Sequence, residues 1–147
     1  YNYGAGLYQR VRQGIRFTFV VTMVYSVVVW LLTLLIPGVF IRIFNDSPAL
    51  LQDGVPAFRV YFATFAFMSF QFIGQSIFVA LGRSKNAVFF SLLRKAFIVA
   101  PLTLILPHLW GLGVYGVFLA EPISNVLGGL ACILTMYWTV YRPLGRA

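Results

Sequence analysis

Long apolar runs separated by short polar segments dominate the sequence. No Asp, Glu, Lys or Arg lies between Arg16 and Arg42, and none lies between Arg59 and Arg83. Each interval exceeds the ~20 residues with which an α-helix crosses about 30 Å of hydrocarbon. Because lipid cannot satisfy open strand edges, runs of this length must be helical even where Val and Ile are frequent. We therefore predict transmembrane helices over residues 17–41, 57–81, 86–106 and 113–141.

Proline and glycine positions predict where these helices begin, end and bend. Ser47 followed by Pro48 predicts a short helix between the first two spans, with Gly54 after its end. Pro56 opens the second span. Pro101 lies inside the third span, where the missing N–H and the bulk of the ring predict a kink.

Polar or small residues recur on one face of three of the predicted spans. In the second span they lie at steps of 3, 4, 3 and 4, which is one helical face: Tyr61, Thr64, Met68, Gln71 and Gln75. The fourth span has a similar series: Glu121, Asn125, Gly128, Cys132, Thr135 and Thr139. The first span has Thr18, Thr22, Ser26 and Thr33. Small and hydroxylated residues of this kind are typical of helix–helix packing in membranes.

Two long amides on one face, Gln71 and Gln75, indicate a water-filled path more than a dry helix contact. Met68 and Tyr61 would add adaptable apolar surface along that path. We predict that the following residues line a substrate or ion pathway: Tyr61, Met68, Gln71, Gln75, Glu121 and Asn125.

Charged side chains lie at mid-depth in two spans. Arg94 is about eight residues into the third span, hence roughly 12 Å deep, and Glu121 is equally far into the fourth from the opposite side. A charge at this depth costs about 2.5–3.5 kcal/mol and marks a functional candidate. We predict that Arg94 and Glu121 form a buried charge pair. The neighbouring Lys95 is expected to point elsewhere and to reach for the interface.

Composition agrees with a membrane protein and limits the possible chemistry. Hydrophobic residues make up 61% and charged residues 10% of the chain, whereas soluble domains have about 25% charged residues. The net charge of +8 lies in the segments between apolar runs, so we expect no nucleic-acid partner. One Cys and one His exclude an internal disulfide and leave no metal site or cofactor to predict.

The sequence also offers little to an enzyme. Residues 111–116 match the dinucleotide fingerprint G-x-G-x-x-G, but no strand precedes them and no acid follows Glu121. Only three acids exist in the whole chain, which leaves little for acid–base catalysis. We therefore expect no catalytic residues.

Several segments together resemble one transporter family. They are residues 2–6 (NYGAG), 80–87 (ALGRSKNA) leading into 91–94 (SLLR), and 116–123 (GVFLAEPI). In this order and spacing they resemble the multidrug and toxic compound extrusion (MATE) family of cation-coupled exporters. The similarity extends over nearly the whole chain, and the segments are more specific jointly than singly.

The resemblance implies an all-α, polytopic membrane protein whose four spans form part of a six-helix lobe. MATE proteins have twelve helices in two such lobes, and residues 1–147 look like helices nine to twelve of the C-terminal lobe. The chain begins without Met, so we expect the N-terminal lobe to be a partner from the same protein. Such proteins export amphipathic, often cationic compounds in exchange for Na⁺ or H⁺, and the implied location is the bacterial inner membrane.

One departure from the family concerns the coupling ion. Some MATE branches have a coupling Asp in the helix that corresponds to the second span, where this chain offers only Gln71 and Gln75. The resemblance then implies coupling acids in the other lobe. A flippase for lipid-linked saccharides, or less readily a membrane-embedded enzyme, remains an alternative.

The basic residues predict an orientation. One side carries Arg10, Arg12, Arg16, Arg83, Lys85, Arg142 and Arg146. The other carries Arg42 and Arg59, partly balanced by Asp46 and Asp53. The positive-inside rule places the first set in the cytoplasm, with both ends of the chain.

This topology predicts that a cysteine at position 50 reacts with an impermeant thiol reagent in intact cells. A cysteine at position 84, in the turn predicted to face the cytoplasm, is the matched control and should react only after permeabilisation. Labelling of position 50 only after permeabilisation would contradict the predicted orientation.

Overall fold

The computed structural model describes residues 1–146, and these residues form helices joined by turns. The α-helices are α1 (Tyr8–Leu35), α2 (Pro37–Arg42), α3 (Pro48–Phe62), α4 (Phe65–Ala80), α5 (Ser84–Leu92), α6 (Ala100–Ile105) and α7 (Val114–Met136). A π-helical segment, Leu93–Val99, connects α5 to α6, and a second one, Tyr137–Tyr141, continues α7. Short 3-10 turns cover Leu106–His108 and Pro143–Gly145.

Within residues 1–146, three helical stretches are long and apolar enough to cross a membrane. They are Tyr8–Leu35, Ser84–His108 and Val114–Gly145. The pair α3 and α4 makes a fourth if the two helices, which meet at an angle of 42°, are counted as one broken span. The predicted all-helical, polytopic membrane fold is therefore confirmed.

The second apolar run differs from the straight span that the sequence predicts. Helix α3 runs from Pro48 through Gly54 and Pro56 to Phe62, so the predicted short helix and the start of the span are one element. The chain then breaks before α4 begins at Phe65. The predicted interruption from Gly54 to Pro56 is thus helical.

Two hydrogen bonds join this break to other helices. The indole Nε1 of Trp30 in α1 donates to the carbonyl of Ala63 at 3.0 Å. The hydroxyl of Thr64 donates to the carbonyl of Pro122 in α7 at 2.9 Å. A helix can break at membrane depth only where protein groups replace the lost backbone partners. Both partners are distant in the sequence, so helical spacing within the second run carries no sign of them.

The kink predicted at Pro101 takes the form of a wider turn upstream. Pro101 has no N–H, and its ring would collide with the carbonyl of Phe97, four residues earlier. Phe97 lies within the π-helical segment Leu93–Val99, where the hydrogen bonds span five residues instead of four. The extra residue in this turn accommodates the proline without ending the span.

The central contact of the fold lies between α4 and α7. Ile73 and Phe78 of α4 and Cys132 of α7 are at most 1% exposed. The thiol of Cys132 lies 3.8 Å from the carbonyl oxygen of Gln71. A Cβ at Gly74 would lie 2.6 Å from Cys132 Sγ. Small residues thus let the two backbones approach closely, as is usual between membrane helices.

The glycines of the G-x-G-x-x-G segment shape the turn before α7. Gly111 and Gly113 have φ values of 69° and 53°, a left-handed region that favours glycine. A Cβ at Gly116 would lie 2.6 Å from the carbonyl carbon of Leu106. The pattern therefore serves a tight turn and a close helix contact.

The close approach of α4 and α7 predicts that Gly129→Ala destabilises the protein. The added Cβ would lie 2.5 Å from the carbonyl oxygen of Phe67, so the backbones must move apart, and overpacking of this kind costs roughly 1–3 kcal/mol. Thermal unfolding in detergent measures the loss. Gly14→Ala is the matched control, because a Cβ there meets nothing within 4 Å. Equal unfolding midpoints for the two variants would contradict the assigned contact.

Candidate functional site

Two buried charges from different helices meet near the centre of the helical bundle. Arg94 Nη1, on the π-helical segment after α5, lies 3.5 Å from Glu121 Oε1 on α7. The exposed fractions of the two side chains are 9% and 11%. The depths estimated from the sequence place both residues near the middle of their spans, and the structure brings them into contact.

Helix α7 also positions the rest of the Arg94 side chain. Arg94 Nη1 donates a hydrogen bond to Asn125 Oδ1, one turn after Glu121. Gly128, a further turn along, lies under the aliphatic part of Arg94, since a Cβ there would be 3.0 Å from Arg94 Cγ. The arginine side chain is thus held by three members of the polar series predicted for the fourth span: Glu121, Asn125 and Gly128.

The prediction for Lys95 is wrong. Lys95 Nζ lies 3.2 Å from Glu121 Oε1 and 3.3 Å from Oε2, so it contacts the same carboxylate as Arg94. Both cations lie in the π-helical segment, where the wider turn reduces the angle between successive residues. The long lysine side chain covers the remaining angle while staying 56% exposed.

The two glutamines of α4 both bind the backbone of α5. Gln71 Nε2 donates to the carbonyl of Phe90 at 3.3 Å, and Gln75 Nε2 donates to that of Ala87 at 3.1 Å. Among residues 1–146, the buried oxygen Gln71 Oε1 has no hydrogen-bond partner. The amides therefore fix α5 against α4 and still leave one acceptor available.

The glutamines and the cations line one cavity between α4 and the helix that begins with α5. Gln71, Gln75, Arg94 and Lys95 contribute to a space of about 120 Å³, which Met68, Phe72 and Ser91 complete. A water molecule needs roughly 10–15 Å³ of such space and two to four polar partners. This cavity, which we call the polar cavity, has the room and the polar groups to hold several.

The structure separates one predicted pathway residue from the others. Met68, Gln71 and Gln75 line the polar cavity, and Glu121 and Asn125 contact its cations. Tyr61 instead packs against Phe62 and Phe118, with ring centroids 5.1 and 6.4 Å away. It lines a different, apolar space of about 380 Å³, because the break before α4 turns the two halves of the run apart.

The sequence pattern did not indicate Phe72 or two polar residues of the polar cavity, Ser91 and Lys95. Ser91 and Lys95 lie four residues apart and therefore on one helical face. Ser91 lies four residues after Ala87, whose carbonyl accepts the hydrogen bond of Gln75, and Lys95 lies four residues after Ser91. This spacing was the available signal, but the series has only three members, and one of them, Ala87, is apolar.

The chain is similar to a protein family and to two solved structures. A sequence profile of the family described as MatE matches residues 1–105. The solved structure of the MATE multidrug transporter DinF-BH in complex with R6G is 33% identical and superposes with a TM-score of 0.85. A second solved chain, described as protein A, is 33% identical with a TM-score of 0.83, covering 94% of this chain and 30% of its own. No curated protein sequence matches.

The match covers nearly all of this chain but a much smaller fraction of the solved transporter. The alignment with DinF-BH covers 94% of this chain and 30% of that transporter. This chain therefore spans less than a third of the length of the two solved chains that it matches.

The shared carboxylate predicts that Arg94 and Glu121 are energetically coupled. Glu121→Gln leaves the buried guanidinium without a counter-charge, and removing one member of a buried pair typically costs about 3–5 kcal/mol. Arg94→Gln should be similarly harmful, whereas the double variant should be milder than the sum. A double-mutant cycle on thermal unfolding measures the coupling.

Lys95→Gln is the control for this cycle. Its ammonium group is more than half exposed, so its loss should cost less than about 1 kcal/mol. Strictly additive effects of the Arg94 and Glu121 variants would show that the two residues act independently.

Proposed function

This chain belongs to the MatE family, and on that premise we propose that it forms part of a secondary active exporter of amphipathic, often cationic compounds. A Na⁺ or H⁺ gradient supplies the driving force. In this proposal residues 1–147 are helices nine to twelve of a twelve-helix protein in the bacterial inner membrane. The remaining helices, including the N-terminal lobe, complete the transport path.

The observation that carries this proposal is the similarity to a MATE multidrug transporter over nearly the whole chain. That protein was solved in complex with R6G, so a relative of the same architecture holds a small organic molecule. A match at 33% identity over this length supports a shared mode of action more strongly than a shared fold alone would.

Local features of these helices suit a transporter. The pathway residues Gln71 and Gln75 line a polar cavity at membrane depth. A broken helix lies directly before them, and transporters build their binding sites beside broken helices of this kind. The buried cluster of Arg94, Lys95 and Glu121 adds the ionisable groups that mark functional sites within membranes.

Transport by the full-length protein in lipid vesicles tests the proposal. We expect efflux of a cationic fluorescent dye when a Na⁺ or an H⁺ gradient is imposed, with each gradient tested separately. Residues 1–147 alone should not transport, because alternating access requires two repeats that move around one site. Gradient-independent movement of a lipid-linked saccharide, without dye efflux, would favour the flippase.

The polar cavity predicts that Gln75→Leu in the full-length protein lowers the transport rate severalfold with little loss of folded protein. The substitution removes a polar group from the path, but Gln75 is only partly buried and makes one hydrogen bond to α5. Dye efflux per folded molecule is the measurement. Gln13→Leu, on an exposed position of α1, is the matched control. A large loss of stability with unaltered efflux per folded molecule would mean that Gln75 serves packing.

A further inference from the structure

We propose that the polar cavity binds the carboxylate group of an amphipathic substrate, through Arg94 and Lys95. The proposal rests on the proposed export function, because the bound compound is a substrate only if the protein is an exporter. It adds the place at which a carboxylate on such a substrate would be held, namely the polar cavity and its two cations.

The charges around the polar cavity do not balance. Arg94 and Lys95 both line it, and both contact the single carboxylate of Glu121. The chain has three acids in all. The other two, Asp46 and Asp53, lie just before α3 and within α3. Among residues 1–146, two cations therefore share one carboxylate, which leaves an excess of one positive charge beside the cavity.

The groups that surround the cavity are suited to a carboxylate. The guanidinium of arginine presents N–H donors in a planar fork that matches two carboxylate oxygens. The side chain of Arg94 is more than nine-tenths buried, and among residues 1–146 its buried Nε has no hydrogen-bond partner. Lys95 adds a charged donor, and Ser91 adds a hydroxyl group on the same wall.

The walls and the size of the cavity decide which part of the substrate it holds. At about 120 Å³ it accommodates a small polar group and not a whole drug-sized molecule. Met68 and Phe72 provide apolar surface at its edge, against which a ring attached to the carboxylate can pack. A cationic group would instead meet two positive side chains, so the cation of a zwitterion must lie elsewhere in the transport path.

A matched pair of dyes tests the proposal in the purified full-length protein. One rhodamine is used as its free carboxylate and as its ethyl ester, and fluorescence anisotropy gives the Kd of each. We expect Lys95→Gln to raise the Kd of the free acid about tenfold more than that of the ester, because it removes one charge-assisted hydrogen bond. Arg94→Lys, which retains the charge and loses the fork, should act in the same direction.

Lys85→Gln is the control for bulk electrostatics. Lys85 is exposed in the first turn of α5 and does not line the cavity, so this change should shift both dyes equally. Equal shifts for both dyes in Lys95→Gln and in Arg94→Lys would overturn the proposal. They would mean that a carboxylate from elsewhere in the protein already fills the cavity.

The binding measurement is independent of the export function. If the protein binds the free acid in this Lys95-dependent manner but moves neither dye across vesicles under a gradient, the exporter is wrong and the carboxylate site remains. If gradient-driven transport occurs and the two dyes respond equally to Lys95→Gln, the exporter remains and the carboxylate site is wrong.

Discussion

Hydrocarbon offers no water to a buried charge, so the carboxylate of Glu121 in α7 must serve two cations of the neighbouring span. Arg94 and Lys95 both reach it, and this requirement sets how the π-helical segment lies against α7. Asn125 takes a hydrogen bond from Arg94, and Gly128 leaves the room in which the arginine stem lies. One charge interaction thus accounts for the polar face of α7, which would otherwise be unfavourable in a membrane.

The same constraint applies to the backbone. Where α3 ends and α4 begins, the indole of Trp30 donates to the carbonyl of Ala63, which a continuous helix would have satisfied internally, and the hydroxyl of Thr64 donates to the carbonyl of Pro122 in α7. Gln71 and Gln75 join α4 to the next helix, because their side-chain amides donate hydrogen bonds to backbone carbonyls of α5. Helix α4 is therefore linked by polar side chains to the helices on either side. Its closest backbone contact, with α7, depends on glycines.

These two sets of interactions leave a polar cavity beside a broken helix, within a chain of the MatE family. Close packing on the α7 side and a polar cavity on the α5 side give α4 two different faces. In the proposed exporter, one face would hold the helices together while the other presents polar groups to the substrate. The excess positive charge beside the cavity is a feature that the family resemblance alone does not supply.

The sequence by itself determined the membrane environment, the all-helical fold, the family and the depths of Arg94 and Glu121, because run length, charge position and helical spacing are properties of single helices. Only the tertiary structure decided the break before Thr64, the contact of Lys95 with Glu121 and the separation of Tyr61 from Gln71. Each of these depends on how one helix is rotated and placed against another. Spacing along a chain fixes which residues share a face, but partners such as Trp30 and Ala63, 33 residues apart, are chosen by packing between helices.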